Sequence, residues 1–380
     1  MDFALTEEQT AIVDMVTDFG AEHVAPCARQ WENDGTIPRD LWSRAAELGL
    51  GAIFVPEKQG GAGLDRLTGT LIFQALSRAC PSVAAFLSIH NMVAAMLAEH
   101  GTDTLRARVL PDAISMDCLL SYCLTEPGAG SDAAALKTRA TKTKGGTRLT
   151  GSKAFISGGG YSDGYLVMAR SGGDGPKGIS AYFVESGTEG LTFGALEDKM
   201  GWRSQPTRSV FLEDCDVPDD HLIGQEGMGF RYAMAALDGG RINIAACSLG
   251  AAEAAVEQTA TYIAEREAFG APIADFQGVS FPLADARIEL TASSDMLRHA
   301  AWALDNGQMD ATARIAMTKA FVTEAASRAV DTCLQLHGGY GYLADYGIEK
   351  LARDLRVHRI LEGTNEIMRV IVARDMLGAR

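Results

Sequence analysis

The chain has 380 residues, of which 47% are hydrophobic and 22% charged, and its 49 acidic side chains outnumber 34 basic ones to give a formal net charge of -15. This length predicts two or three domains, because a single hydrophobic core stops growing at about 250–300 residues. The composition excludes a disordered chain, and the negative charge argues against nucleic acid as a partner, since phosphate backbones select basic surfaces.

The start of the chain and its apolar runs give no sign of export or of a membrane span. The sequence opens Met1-Asp2-Phe3 and continues with Glu7 and Glu8, where a signal peptide would carry basic residues. Charges interrupt the apolar runs before the roughly 20 residues that a span requires. The seven cysteines include no Cys-x-x-Cys pair and indicate reduced, mostly buried thiols. We expect a cytoplasmic protein, or one of the mitochondrial matrix if the chain is processed, with no membrane partner.

Helical patterns fill the first part of the chain. Thr6 and Gln9 predict a capping box in front of apolar residues at helical spacing. Gly101 stands where one of the following helices would end. These further helices are predicted over residues 39–48, 67–79, 83–99 and 103–114. We therefore expect an N-terminal helical domain over residues 1–118.

The texture changes between residues 119 and 224, where glycines multiply and apolar runs shorten. Two extended runs, 137–144 and 147–156, meet at the dipeptide Gly145-Gly146 and predict a hairpin. Further strands are predicted at residues 165–169, 179–184 and 209–212. A small antiparallel sheet or barrel of about 100 residues accounts for this middle β-domain.

The last part of the chain, residues 225–380, is again helical. Three long alanine-rich patterns cover residues 228–266, 276–306 and 310–337, and two shorter helices are predicted after Asp345 and Thr364. Long helices joined by short turns favour a bundle. The predicted fold class is therefore mainly α with a middle β-domain, and it differs from the strand–helix alternation of a doubly wound fold.

Two glycine-rich strings match a loose dinucleotide-binding pattern, Gly128–Ala133 and Gly339–Ala344. Neither has the required context, because the first follows Pro127 and lacks an acidic residue about 20 positions later. The loop Gly128–Ser131 can still bring backbone N–H groups close to a flat or anionic ligand. The seven histidines show no metal-ligand spacing, and no Gly-x-Ser-x-Gly elbow occurs, so no metal site and no hydrolase are expected.

One acidic residue near the C-terminus has two possible interpretations. Glu362 lies between the apolar pair Ile360-Leu361 and Gly363. It could be a solvated loop acid. Alternatively, its apolar neighbours could remove water from the carboxyl group and raise its pKa toward the range of a general base.

Five strings, in this order, resemble the acyl-CoA dehydrogenase family over essentially the whole chain. They are Tyr122–Asp132, Lys153–Ser157, Arg266–Gly270 with Gln277, Gln335–Gly339 and Glu362–Glu366. The resemblance implies an N-terminal helical domain, a middle β-domain and a C-terminal four-helix bundle. It also implies FAD as cofactor, an acyl-CoA substrate, an electron-transfer flavoprotein as acceptor and a homotetramer in which the cofactor contacts a second subunit.

The resemblance carries roles onto individual residues. Contacts along the flavin are implied for Tyr122, Leu124, Thr125, Gly130, Ser131, Phe155, Ile156 and Ser157. Contacts to the FAD diphosphate and adenosine are implied for Arg266, Phe269, Phe276, Gln277, Gln335, Leu336, Gly338 and Gly339, with Thr364 and Glu366 near the final helix. Substrate contacts are implied for Ser131, Asp238, Arg241, Gly363 and Arg374.

By the same resemblance, Glu362 is the catalytic base. The proton alpha to a thioester is weakly acidic, so its removal needs a positioned carboxylate together with donors on the carbonyl oxygen. Flavin N5 accepts the beta hydride, because no side chain takes two electrons. Some family members place the base on an earlier helix, at the position of Gly240 here, which has no side chain to act.

Residues 201–208, 239–250 and 337–343 resemble the branch of the family that converts isobutyryl-CoA to methacrylyl-CoA in valine catabolism, a route of branched-chain amino acid degradation. Another short-chain or 2-methylbutyryl-type acyl-CoA dehydrogenase stays an alternative, as does a non-catalytic flavoprotein scaffold. An oxygen-using oxidase is the nearest enzymatic rival. The charge of -15 opposes a DNA-associated role.

Overall fold

The computed structural model describes residues 4–378, so residues 1–3, which entered the argument against a signal peptide, and 379–380 lie outside it. The capping box is confirmed, because Gln9 N–H donates to Thr6 Oγ1 and Thr6 N–H to Gln9 Oε1, both at 3.1 Å. The first six helices are α1 (Glu7–Phe19), α2 (Ala28–Asp34), α3 (Arg39–Glu47), α4 (Arg66–Ala79), α5 (Pro81–His100) and α6 (Asp103–Ile114).

Two details of this helical part differ from prediction. Helix α2 was not predicted, since its 7 residues are too few to show a period. Gly101 ends α5 with a φ of -63° and not in the left-handed conformation of a glycine cap. A side chain there would lie 2.6 Å from the carbonyl oxygen of Leu97, so the position needs glycine because the backbone passes so close.

Helix α5 is the one helix of residues 4–378 that is long and apolar enough to cross a membrane, with a mean hydropathy of 1.5. The expectation that charges interrupt every apolar stretch is therefore wrong for α5. Its most apolar part is 89% buried inside the protein, which is typical of a core helix. Hydropathy alone does not separate a core helix from a membrane-spanning helix, because both lie in surroundings that exclude water.

The middle of the chain forms one eight-stranded sheet. Its strands are β1 (Leu120–Cys123), β2 (Arg139–Thr143), β3 (Gly146–Ser157), β4 (Gly164–Arg170), β5 (Ile179–Glu185), β6 (Leu191–Phe193), β7 (Thr207–Pro218) and β8 (Leu222–Ile223). Their order in the sheet is β6-β7-β3-β2-β4-β5-β8, with β1 paired beside β4. The predicted hairpin is confirmed as β2 and β3, and Gly145 takes the required positive φ of 98° in its turn.

The sequence predicted an antiparallel sheet, but the observed sheet also contains parallel pairs. Strand β1 runs parallel to β4, and β2 meets β4 in a parallel pair between Arg139 and Arg170. Local alternation of apolar residues reports that a segment is extended, but not the direction of its partner. That direction depends on the connections between strands, which a local pattern does not encode.

Strand β3 carries an irregularity that matters for the site. Its register with β7 shifts between Lys153 and Ile156. Phe155, in the shifted part, has a φ of 58°. A bulge of this kind bends the strand and redirects a side chain. Phe155 is consequently 70% exposed, although its neighbours Ala154 and Ile156 are buried.

The C-terminal helices follow the prediction closely. A short hairpin, β9 (Glu267–Ala268) with β10 (Ala271–Pro272), joins the first two long helices. Gly250 lets the first of them approach α4, since a Cβ there would lie 1.9 Å from the carbonyl oxygen of Gln74. The helices are α7 (Gly229–Glu265), α8 (Gln277–Asp305), α9 (Ala311–Leu336), α10 (Ile348–Leu355) and α11 (Asn365–Leu377).

Candidate active site

A cavity of about 550 Å³ lies where α5, β1, β3, α7 and the start of α11 meet. Twelve of the residues proposed from the resemblance line it: Tyr122, Leu124, Thr125, Gly130, Ser131, Phe155, Ile156, Ser157, Arg241, Glu362, Gly363 and Arg374. Sequence reasoning missed most of its apolar wall, including Ile89, Met92, Trp202, Ile244 and Leu361. An apolar lining residue looks like a core residue in a sequence, so no signal could have found them.

Glu362 presents its carboxyl group to this cavity. The residue as a whole is partly exposed, but Oε2 is buried and has no hydrogen-bond partner in the described structure. Burial raises the pKa of Glu362 to about 7, against the opposing charges of Arg241 and Lys319. The interpretation as a desolvated acid is confirmed, and the solvated loop acid is wrong.

The backbone of Glu362 is held in an unusual conformation. Its φ is 55°, and Gly363 follows with a φ of 85°. A non-glycine residue in this region costs on the order of 1–3 kcal/mol and persists only where surrounding contacts enforce it. Here Arg241 Nε donates to the Glu362 carbonyl oxygen at 3.0 Å. The turn aims the carboxyl group between α7 and the sheet.

Asp238 does not line the cavity. One of its carboxylate oxygens accepts from Arg241 Nη1 at 2.8 Å, and the other accepts from Thr312 Oγ1 at 2.8 Å. Asp238 is therefore arranged to orient Arg241, and this single chain gives it no direct path to a molecule in the cavity. A substrate contact through Asp238 is not supported by this geometry.

Gly240 faces Glu362 from α7. A Cβ at this position would lie 2.7 Å from Glu362 Oε2 and 2.9 Å from Cδ, closer than real contacts allow. The absence of a side chain at Gly240 therefore creates the space that the Glu362 carboxyl group occupies. The two positions that carry the base in different members of the resembled family are adjacent here, and the side chain at one requires its absence at the other.

A buried ion pair fixes the loop that follows β1. Lys153 Nζ, which is fully buried, donates to Glu126 Oε1 at 2.8 Å and to the Leu124 carbonyl oxygen at 3.1 Å. Glu126 also accepts from the backbone N–H groups of Lys137 and Thr138. Burial alone would raise the pKa of Glu126, but Lys153 and these donors lower it overall. The segment 122–131 is thereby held against β3.

Trp202 closes another side of the cavity. Its backbone N–H donates to Asp354 Oδ1 at 2.6 Å, and its indole N–H donates to His358 Nε2 at 3.1 Å. Burial lowers the pKa of His358 to about 3, so the imidazole is neutral and able to accept. The indole packs with Ile244 and Leu361, directly before Glu362.

The cavity fits a flat heterocycle with a polar edge. Phe155 exposes its ring to the cavity, and the buried hydroxyl of Tyr122 has no partner among residues 4–378. Polar atoms that are buried and unpaired cost free energy unless a ligand satisfies them. An isoalloxazine ring would cover the aromatic face and supply polar partners, so these residues fit FAD.

The other proposed cofactor residues lie elsewhere on the chain. Arg266, Leu336, Gly338 and Gly339 line a second cavity of about 420 Å³. Phe269 is 98% exposed and Phe276 38% exposed. The first cavity is not lined by these six residues or by Gln277, Gln335, Thr364 and Glu366. One chain thus brings together the residues proposed for the flavin ring and leaves those proposed for the diphosphate and adenosine apart.

Comparison with known proteins shows the family to which the chain is similar. Residues 6–117, 121–215 and 227–377 match the models of the N-terminal, middle and C-terminal domains of acyl-CoA dehydrogenase. The mitochondrial isobutyryl-CoA dehydrogenase of Dictyostelium discoideum is 50% identical over 98% of this chain and 90% of its own length. That of Bos taurus is 47% identical over the same shares of the two chains.

Solved structures show the same fold. Butyryl-CoA dehydrogenase of Megasphaera elsdenii is 35% identical, with a TM-score of 0.95 over 99% of this chain and 100% of its own. A chain from work on the electron transferring flavoprotein of Acidaminococcus fermentans is 37% identical, with the same TM-score and the same coverage. An FAD complex of PigA is 28% identical over 99% of both chains, also with a TM-score of 0.95.

Proposed function

Because the chain belongs to the acyl-CoA dehydrogenase family of FAD-dependent oxidoreductases, we propose that it oxidises isobutyryl-CoA to methacrylyl-CoA with Glu362 as the base. The observation that carries the proposal is the Glu362 carboxylate oxygen Oε2, which is buried and has no hydrogen-bond partner within residues 4–378, on the wall of a cavity that fits a flavin. A structural acid would be hydrogen-bonded or solvated. Glu362 Oε2 is neither, so it can accept a proton from a bound ligand.

The chain's own residues perform the proton step. Glu362 Oε2 takes the alpha proton, and a carboxyl group whose pKa is about 7 is near the best match to neutral pH. The backbone N–H of Glu362 has no acceptor within residues 4–378, so it is free to donate to the thioester oxygen. Bound FAD supplies the two-electron acceptor for the beta hydrogen. The apolar wall excludes water from the reacting carbons.

An apolar acyl group suits the wall of the cavity. Ile89, Met92, Ile244 and Leu361 are apolar and line the cavity that Glu362 faces. The two relatives named above act on isobutyryl-CoA by name and share about half of their residues with this chain. Discrimination by one methyl or methylene contact in an apolar pocket is worth about 1–3 kcal/mol, so butyryl-CoA, which lacks the branch, and 2-methylbutyryl-CoA, which adds a methylene, should react more slowly and not be excluded.

The purified yellow protein should bleach when isobutyryl-CoA is added without oxygen. In a panel with butyryl-, 2-methylbutyryl- and isovaleryl-CoA, we expect isobutyryl-CoA to have the highest kcat/KM by about tenfold or more, as one methylene contact allows. The measurement is flavin absorbance in an anaerobic stopped-flow instrument. A protein that holds FAD but is not bleached by any of the four thioesters would contradict the proposal. If another thioester had the highest kcat/KM, isobutyryl-CoA would be wrong as the preferred substrate, and the proposed dehydrogenation with Glu362 as the base would stand.

A homotetramer is part of the proposal. Four residues proposed for the FAD diphosphate and adenosine line the separate 420 Å³ cavity, and an oligomer could bring them to the cofactor of a second copy. Arg266 is the cation of that set. Its guanidinium would bind a diphosphate with charge-assisted hydrogen bonds worth about 1.5–3 kcal/mol.

Arg266→Ala should therefore weaken FAD binding by about tenfold or more. FAD absorbance per chain, measured together with the mass from light scattering, checks this result. Arg148→Ala is the matched control, because Arg148 is an exposed arginine on β3 whose partner is Asp216. The shared site would be contradicted if Arg266→Ala held FAD as tightly as the wild type. It would also be contradicted if the wild-type protein with bound FAD were a monomer.

We further propose an electron-transfer flavoprotein as acceptor. One structural neighbour comes from work on such a flavoprotein, which supports the assignment. All seven cysteines are free, which is consistent with the cytoplasm or the mitochondrial matrix, and the two named relatives are mitochondrial by name. Reduction of an electron-transfer flavoprotein, without oxygen consumption, would separate this activity from that of an oxidase.

A further inference from the structure

A fully buried lysine lies behind the Glu362 loop. Lys319, on α9, has no exposed surface, and its Nζ donates to the Gly363 carbonyl oxygen at 2.8 Å and to Asn365 Oδ1 at 2.9 Å. Burying an ammonium group costs free energy unless the group is paired and fully hydrogen-bonded. The ammonium group of Lys319 makes only these two hydrogen bonds within residues 4–378, and neither acceptor is a carboxylate.

Lys319 and Arg241 hold consecutive carbonyl groups. Arg241, from α7, binds the carbonyl oxygen of Glu362, and Lys319, from α9, binds that of Gly363. Glu362 and Gly363 are the two residues of this turn that have a positive φ, and the conformation of Glu362 needs surrounding contacts to persist. Two cations from two different helices therefore fix the turn that aims the Glu362 carboxyl group.

We propose that Lys319 is a positioning residue for Glu362, whose ammonium group locks the turn through Gly363 and Asn365 and favours the ionised carboxylate that accepts the substrate proton. The inference rests on the proposed role of Glu362 as the base. Lys319 does not line the cavity and has no contact with the reacting atoms. It acts through the backbone and through its charge.

The charges around the pair support an electrostatic role. Glu362 faces Arg241, Lys319 and the hydroxyl of Tyr122. Lys319 faces Glu362 and Arg241, with the carboxylates of Glu366 and Glu324 acting on it as well. Neutral His358 adds no charge, because burial and Lys319 both lower its pKa.

Burial lowers the pKa of Lys319 to about 7, the same range to which burial raises the pKa of Glu362. Glu362 and Lys319 act on each other as opposite charges. Each favours the charged form of the other. Removing the ammonium group should raise the pKa of Glu362, since a nearby opposite charge lowers a carboxyl pKa by about 1–3 units.

The test compares Lys319→Met with Lys319→Arg. The rate of flavin reduction by isobutyryl-CoA should rise with pH through about 7 in the wild type, as Glu362 loses its proton. In Lys319→Met this rise should move up by about one pH unit or more, so the rate falls about tenfold on the acidic side and recovers at higher pH. Lys319→Arg keeps the charge and should keep the midpoint, even if its bulk lowers the maximal rate.

A second readout does not require turnover. Infrared difference spectra against Glu362→Gln isolate the carbonyl band of protonated Glu362, and the pH at which this band disappears reports the pKa directly. We expect the same upward shift in Lys319→Met. If no thioester reduces the wild-type flavin, the proposed function fails, whereas the infrared shift still decides the electrostatic coupling.

The matched control is Lys350→Met, which removes another mostly buried lysine, on α10, whose partner is Asp354. It should lower the thermal midpoint without moving the pH midpoint. If Lys319→Met does not fold, Asn365→Asp decides the question, because a carboxylate 2.9 Å from Nζ neutralises the same charge and should shift the midpoint upward as well. A midpoint unchanged in the folded variant by both readouts overturns the inference.

Discussion

Glu362→Gln should retain FAD and lose reduction of the flavin by isobutyryl-CoA, with a rate lower by about 10³-fold or more. A positioned general base contributes about 10²–10⁴-fold, and glutamine has the same shape without the ability to accept the proton. Retention of FAD follows because Glu362 contributes only one part of the cavity wall. Anaerobic stopped-flow absorbance measures the rate, and the flavin spectrum measures the cofactor content.

The control is Glu213→Gln, a substitution of an exposed acid on β7 away from the cavity. Its reduction rate should equal that of the wild type. If Glu362→Gln reduces its flavin within about tenfold of the wild-type rate, a factor below the usual contribution of a base, then Glu362 does not remove the proton.

The same substitution should change stability in the opposite direction from activity. In the folded protein the pKa of Glu362 rises from 4.5 to about 7, so between these values the folded state holds a proton that the unfolded state has lost. Stability from this group is complete below pH 4.5 and declines as the pH rises through about 7. Glu362→Gln should therefore raise the melting temperature above about pH 7 but not below pH 4.5. Thermal melting in these two pH ranges measures the difference.

Gly240→Ala should lower the rate of flavin reduction by about 10²-fold while stability is kept or raised. The new Cβ would lie 2.7 Å from Glu362 Oε2, so the carboxyl group must move away from its position. A misplacement of about 1 Å at the reacting atoms can cost about 10²-fold in rate. Alanine in the helix is favoured over glycine by about 1 kcal/mol, which offsets the steric cost.

Gly173→Ala is the matched control, because Gly173 has open space around the position of a Cβ and lies outside both cavities. It should leave the rate of reduction unchanged. A wild-type rate in Gly240→Ala, with a normal melting temperature, would show that the carboxyl group does not need the position that the structure gives it.

The buried ion pair of Lys153 and Glu126 could not be predicted from the motifs that contain these residues. Both residues belong to motifs that carry the family resemblance, Lys153–Ser157 and Tyr122–Asp132. Neither was assigned a role, because a lone lysine and a lone glutamate in two separate strings do not show that they are paired. Only the pairing of β3 with the loop after β1 brings them within 2.8 Å. The same holds for Lys319, whose position on α9 resembles any lysine of a helix surface until the helix packs.

The amino-acid sequence by itself determined the three segments of secondary structure, the capping box and the apolar neighbours of Glu362. These are local properties, set by residue spacing and by the chemistry of adjacent side chains. It did not determine the parallel pairing of β1, the exposure of Phe155 or the space opposite Gly240. Those depend on which segments meet, and segments distant along the chain meet only when the whole core forms. Burial, and with it the raised pKa of Glu362, is likewise a property of the packed molecule, because water is excluded by the sum of all neighbours and not by any one of them.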